Sequence, residues 1–205
     1  MGLDMYLNRM PRYKHANAAD VSAVEHYLDW MKAKEKGSEH ANCTFEEWCG
    51  IKEIPKKEYI DFYSPFYKTS YSAWDTEKKY GYDRIMEQVG YWRKANHIHN
   101  WFVENVQEGE DDCRYHEEVT KETLEWLLDV CNEVLDSASM TNGVLTAMNS
   151  RIARESLPTQ CGFFFGSTDY GEYYVEDIKN TIDIITKVLE TTDFETQMIY
   201  YVSSW

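Results

Sequence analysis

The two ends of this chain read as strands, while its strongest apolar patterns in between repeat every three to four residues. Leu3, Met5 and Leu7 alternate with Asp4 and Tyr6, which predicts a short strand over residues 2–7. Residues 194–205 are rich in β-branched and aromatic side chains and read as a terminal strand. Between them, Thr120 caps a helix to about Asp136, with Leu124, Leu127, Leu128, Cys131 and Leu135 at core spacing. Val175, Ile178, Ile182, Ile185 and Leu189 give a second helix over about 172–190. Strands at both ends, with helices and hairpin-like pieces between, predict an α+β fold: a mainly antiparallel sheet with helices packed on one side. There is no regular βαβ alternation and no G-x-G-x-x-G or G-x-x-x-x-G-K-[ST] motif, so a dinucleotide-binding or P-loop fold has no support.

The remaining segments are less regular. Asp20 is the expected N-cap of a helix to about Lys36, with Val21, Val24, Leu28 and Met31 on one face. Residues 8–17 read as a loop, and Thr44-Phe45-Glu46-Glu47 has capping-box spacing for a short helical turn. Over 50–82 the periodicity fades. Pro55, Pro65 and the run Tyr59, Phe62, Tyr63, Phe66, Tyr67, Tyr71, Trp74 and Tyr80 predict a long aromatic-rich loop or excursion, either a lid or a place where elements are missed. Residues 84–92 are expected to begin extended, with a helix starting near Arg93. Residues 113–119 read as a strand, 141–155 as a helix carrying Leu145, Met148 and Ile152, and 161–165 as a buried strand. At 205 residues the whole chain, 1–205, fits a single α+β domain with 50–82 as an excursion within it.

Composition limits the partners. Acidic residues outnumber basic ones 36 to 21, for a net charge of −15. That average field repels nucleic acid, so direct nucleic-acid binding is not expected. An acidic surface imitating DNA is the opposite possibility, and simple solubility the plainest one. The 16 Tyr, 8 Phe and 7 Trp mean that core and pocket alike are built from rings, many with a polar tip that needs a partner. Five cysteines form no C-x-x-C pair and are odd in number, which predicts a reduced chain without a disulfide framework or zinc site. The opening Met1-Gly2-Leu3-Asp4 has no signal-peptide pattern, and Tyr6 stands where N-myristoylation wants Ser or Thr. No apolar run approaches membrane-spanning length, so the expected location is cytoplasmic.

Two dense blocks stand out. The first is Gly90-Tyr91-Trp92-Arg93-Lys94-Ala95-Asn96-His97-Ile98-His99-Asn100-Trp101-Phe102-Val103. On a helix beginning at Arg93, Ala95, Ile98, Phe102 and Val106 share one side. Arg93, Asn96, His97 and Asn100 share the other, as a donor stripe or, alternatively, a solvated or interhelical polar face. Arg93 forks onto carboxylate or phosphate, the asparagines offer donors and acceptors, and His97 donates or titrates. His97-x-His99 resembles a metal pair only on a strand. On a helix the two imidazoles point about 200° apart, so no metal site is expected. The second block is Leu157-Pro158-Thr159-Gln160-Cys161-Gly162-Phe163-Phe164-Phe165-Gly166-Ser167. Its phenylalanines read as core, while Thr159, Gln160 and Tyr170 are candidate ligand contacts. The turn over 166–171 leads to a helix N-terminus that favours an anion, unless Asp169 caps it.

Catalytic signatures are missing. No G-x-S-x-G, H-E-x-x-H or cysteine–histidine pattern is present. The acidic run Glu108, Glu110, Asp111 and Asp112 reads as a solvated turn, with a divalent-cation site as the alternative, and Glu172 with Glu176 makes a carboxylate pair only if buried.

The opening Met1-Gly2-Leu3-Asp4-Met5-Tyr6-Leu7, the block Val89-Gly90-Tyr91-Trp92-Arg93-Lys94-Ala95-Asn96 with Ile98-His99 and Trp101-Phe102-Val103, and Leu157-Pro158-Thr159-Gln160 through Gly166-Ser167 together resemble a family of small bacteriophage and prophage proteins. Residues 8–82 and 137–156 are not covered. The resemblance implies a setting, the cytoplasm of an infected or lysogenic bacterium, and brings no activity with it. Small accessory proteins in that setting counter host defence or redirect host machinery.

The expected function is that of a non-catalytic, cofactor-free binder that sequesters a small nucleotide-like defence signal. Its pocket is expected between the Arg93 helix and residues 159–170. Arg93 would hold phosphate and Trp92 or a tyrosine would stack. Asn96, His97, Asn100, Thr159, Gln160 and Tyr170 would complete the site. The alternatives are an acidic protein–protein inhibitor or DNA mimic of a host factor, and an enzyme on a nucleotide-derived substrate with His97 or a glutamate as base. The aromatic-rich terminal strand points to a homo-oligomer.

Overall fold

Leu3, Met5 and Leu7 are fully buried, with Asp4 and Tyr6 half-buried between them. The predicted strand therefore forms, and it runs on as β1 (Asp4–Pro11). The structure, a computed structural model, describes residues 2–71 and 81–205. Trp74 and Tyr80 of the aromatic run lie outside the described residues. After β1 the chain forms α1 (Ala18–Glu35), α2 (Phe45–Cys49), α3 (Lys57–Tyr63), β2 (Lys68–Tyr71), β3 (Gly81–Arg84), β4 (Glu87–Arg93) and α4 (Asn96–Val106). It continues with α5 (Lys121–Asp136), β5 (Ser139–Thr141), β6 (Val144–Thr146), α6 (Arg151–Ser156), α7 (Glu172–Thr191) and β7 (Gln197–Ser204). Antiparallel pairing with helices makes this α+β, as the periodicities predict.

The chain divides into two compact units, Arg9–Glu87 and Met1–Asn8 with Gln88–Trp205. In the first, α1 starts one turn earlier than expected. Asn17 is the N-cap, and Asp20 answers it from the third helical position, each side chain accepting the other's backbone N–H at 3.0 Å. Thr44 and Glu47 form the predicted capping box of α2. The stretch read as a loop holds α3 and the β2–β3 hairpin, paired from Lys68↔Arg84 to Tyr71↔Gly81. The rings of Tyr13, Tyr59, Phe62 and Tyr63 cluster here at 4.2–6.4 Å between centroids. Aromatic packing without helical period is why the sequence pattern failed over this stretch. Buried Glu25 accepts the backbone N–H groups of Ile85 at 2.6 Å and Met86 at 2.8 Å, within the same unit.

In the other unit the sheet order is β4-β1-β7. Lys94 N donates to Leu3 O at 2.8 Å and Gly90 lies against Leu7, so β4 and β1 run antiparallel. One core joins Leu3, Met5, Leu7, Trp92, Ile199 and Tyr201 to the apolar faces of α4, α5 and α7. Leu124, Leu127, Cys131, Ile178 and Ile185 are fully buried, as their spacing predicts. The outer edge of β7 is met by Val119, whose N–H donates to Ile199 O at 2.8 Å. Residues 113–119, expected as a strand, contribute only an isolated bridge between Glu118 and Tyr200. The aromatics of β7 offered as an interface are instead largely interior: Tyr200 and Tyr201 are both buried.

Residues 141–155 do not form the predicted helix. Asn142 and Gly143 both take positive φ, 51° and 83°, and close the β5–β6 hairpin, leaving only the short α6. Asn-Gly is a hairpin signal that the apolar spacing of Leu145, Met148 and Ile152 obscured. Nor do residues 161–165 form a buried strand. Phe163 is 83% exposed and Phe164 54% exposed, so of the three phenylalanines only Phe165 is core.

Candidate functional site

The helix expected from Arg93 begins three residues later. Arg93 still belongs to β4, Lys94 turns the chain with φ 62°, and Asn96 opens α4. Ala95, Ile98, Phe102 and Val106 are buried, as the wheel predicts, but Asn96, His97 and His99 are buried as well. Of the donor stripe, Asn96 and His97 are thus covered while Arg93 stays exposed, and the second dense block covers Asn96. Asn96 Nδ2 donates to Phe165 O at 3.2 Å and Ser167 O at 2.8 Å, while its Oδ1 accepts from Gln160 N at 2.9 Å. These bonds satisfy the asparagine and clamp residues 160–167 onto the start of α4. Gly166, with φ +97°, passes so close to Lys94 that a Cβ there would lie 2.9 Å from its carbonyl oxygen. Gly162 has no room for a Cβ beside the Phe165 ring. The two blocks are consecutive parts of one surface.

That surface encloses a cavity of about 540 Å³, lined by Arg93, Lys94, His97, Gly166, Ser167, Asp169, Gly171, Tyr173, Tyr174 and Asp177. The size suits a small organic molecule. One wall is the N-terminus of α7. The first intrahelical bond runs from Val175 N to Gly171 O, so the N–H groups of Glu172, Tyr173 and Tyr174 have no helical partner. Gly171 is the N-cap and supplies no side-chain bond. Asp169, expected as a cap, instead accepts from the Ser167 hydroxyl at 3.0 Å, and its own N–H donates back to that oxygen. The helix dipole therefore opens toward the cavity uncapped.

No family model, curated protein or solved structure matches the chain.

The inner wall is polar and unsatisfied. His97 is 2% exposed, its ring sits 4.1 Å from that of Tyr174, and its Nε2 has no hydrogen-bond partner among the described residues. Burial lowers its pKa to about 3, so the imidazole is neutral at physiological pH. Tyr174 is anchored by donating to Leu157 O at 2.9 Å. Burial, reinforced by neighbouring Glu176, pushes the Asp177 carboxyl up to about 7. No described residue donates a hydrogen bond to that carboxyl; the Asp177 backbone carbonyl accepts from Thr181 at 2.7 Å. Arg93 and Lys94 are exposed at the rim, and Tyr173, 76% exposed, presents a free ring face beside them.

The other predicted site residues have structural work. Trp92 cannot stack on a ligand: it is buried in the core, with Nε1 donating to Thr181 Oγ1 at 2.9 Å. Thr159 N donates to Tyr170 Oη at 3.3 Å and Thr159 Oγ1 to Thr168 O at 3.1 Å, bracing the loop rather than lining the cavity. Tyr170 packs on Tyr174 and under Arg154. Gln160 Oε1 is buried without a partner, and Asn100, half-buried, does not line the cavity. His97 and His99 diverge as the helical geometry requires. His99 Nδ1 meets Tyr201 Oη at 2.7 Å, and its Nε2 lies 3.1 Å from Asp111 without hydrogen-bond geometry. Asp111 also accepts from Trp205 Nε1 at 2.8 Å. Asp112 accepts from Arg114 N at 3.0 Å and lies 2.8 Å from His116 Nε2. Much of the acidic run is therefore fastened into its own loop. Among the described residues, Glu110, Asp112 and His116 are close enough to share an ion.

Sequence reasoning missed Lys94, Tyr173, Tyr174 and Asp177. Tyr174 and Asp177, three residues apart, share one face of α7 and both line the cavity, while Glu172 and Glu176 are exposed.

Proposed function

We propose that the cavity binds a small anionic, nucleotide-like molecule without converting it, and that the protein acts by sequestering that molecule. The observation that carries this reading is the uncapped N-terminus of α7 facing the same cavity as Arg93, Lys94 and the unpartnered His97 Nε2. Free N–H groups and two cations favour a phosphate or carboxylate, working against the chain's average charge of −15 and the Asp169 and Asp177 carboxyls that line the same cavity. Tyr173 offers a stacking face in place of Trp92. The neutral His97 supports binding over proton transfer, because a base with pKa near 3 is almost never protonated at working pH. The resemblance to phage and prophage proteins favours a role in the bacterial cytoplasm, withdrawing a nucleotide-derived defence signal. Among the described residues no helix is long and apolar enough to cross a membrane.

Isothermal calorimetry against a panel of nucleotides and cyclic nucleotides tests the reading. Binding should be saturable, and Arg93→Ala should weaken it by about tenfold, the loss of one charge-assisted contact. Heat from no member of the panel, or unchanged affinity in Arg93→Ala, defeats it.

One observation favours a second reading. A carboxyl held near 7, as Asp177 is, suits a general acid–base catalyst. Turnover of a nucleotide in a mass-spectrometric assay, lost in Asp177→Asn, would favour an enzyme over a sequestering protein.

A further inference from the structure

The cavity is polarised along α7. Gly171 at its anion-favouring end and Asp177 at the other are six residues apart, about 9 Å along a helix. Tyr173 and Tyr174 lie between them on the same wall. A ligand that fills this space carries an anion at one end, a flat body, and at the other end groups that answer a carboxylate. The Asp177 carboxylate has two acceptor oxygens and no donor from any described residue. His97, on α4, lines the same cavity with a ring nitrogen that has no partner among the described residues. The half-buried Asp177 carboxyl lines the cavity, and a pair of N–H donors on the ligand would stabilise its ionised form.

We propose that the cavity takes its nucleotide in one orientation, with the phosphate on the first turn of α7 and a guanine-type edge of paired N–H donors on the Asp177 carboxylate. This rests on the binding reading above and adds a base preference to it. Guanine presents a ring N–H and an exocyclic amine side by side, which a carboxylate accepts together. Hypoxanthine keeps the ring N–H and lacks the amine. Adenine presents an acceptor where guanine has its ring N–H, which leaves one carboxylate oxygen facing an acceptor.

The test is calorimetry of the full chain at pH 8 with GMP, IMP and AMP, on the wild type and on Asp177→Asn. The expected result is GMP tighter than IMP and AMP by about tenfold or more, the effect of one charge-assisted hydrogen bond. Asp177→Asn should lose that preference while still binding AMP, which shows that the variant is folded and its phosphate subsite intact. Equal affinities in the wild type, or a guanine preference that survives Asp177→Asn, overturns the orientation and leaves nucleotide binding standing. No binding of any of the three overturns both this inference and the reading on which it rests.

Discussion

At the scale of single residues, Asp177 is where fold and site pull apart. Its folded pKa, about 7, lies well above the ordinary carboxylate range, so the protein binds its proton more tightly folded than unfolded. The associated stability is fully present below the unfolded carboxylate's pKa and is lost as pH rises through 7. Removing the charge removes the loss. Asp177→Asn is therefore predicted to be more stable than the wild type at pH 8, by on the order of 1–3 kcal/mol, with the gain shrinking toward pH 4. Urea melts at pH 8 and pH 5 check this, and a change equal at both pH values would contradict it. His97 has the opposite sign. Its pKa is depressed to about 3, so its contribution is present above the ordinary histidine range and lost as pH falls through it. Because His97 is common to both proteins, it cancels from the comparison. A stabilising substitution inside a pocket is what a residue retained for binding gives.

At the scale of elements, the candidate site depends on the clamp between α4 and residues 160–167. Asn96→Ala would strand Gln160 N and the carbonyls of Phe165 and Ser167. The predicted cost is about 2–4 kcal/mol, read from denaturant melts. Amide exchange should quicken over 160–171 and remain slow in the paired strands. Gly166→Ala should cost about 1–3 kcal/mol in the same assay, because φ +97° and the close carbonyl of Lys94 both exclude a side chain. Much of this level was readable in the sequence. The long helices α5 and α7, the Thr44 capping box and the terminal strands follow from periodicity, composition and cap chemistry, which are local, whereas at α1 the cap expected at Asp20 is supplied by Asn17. The β5–β6 hairpin, the aromatic cluster around α3 and the helix start at Asn96 did not. The aromatic cluster is fixed by contacts distant in sequence and the helix start by the left-handed Lys94, while the hairpin carries a local Asn142-Gly143 signal masked by the apolar spacing around it. The exposure of Phe163 and Phe164 also lay beyond local pattern, since only the tertiary position of their loop decides which ring turns inward.

At the scale of the whole molecule, the two dense blocks proved to be one surface, and that juxtaposition creates the cavity. Arg93 and His97, read from the sequence as site residues, both line the cavity, whereas Trp92 and Asn96, read as ligand contacts, are bonded within the protein. The reason is common to both: a polar atom reads the same in sequence whether its partner is a ligand or the backbone of a distant loop. What distinguishes His97 and Asp177 is that no described residue satisfies His97 Nε2 or donates to the Asp177 carboxyl. The central claim is that these groups and the N-terminus of α7 receive one small anionic ligand. Amide and imidazole NMR during titration with GMP tests it most directly. The account predicts that the amides of residues 171–174 and the His97 ring shift together and saturate at one stoichiometric equivalent. Shifts confined to other parts of the protein, or none, would contradict it.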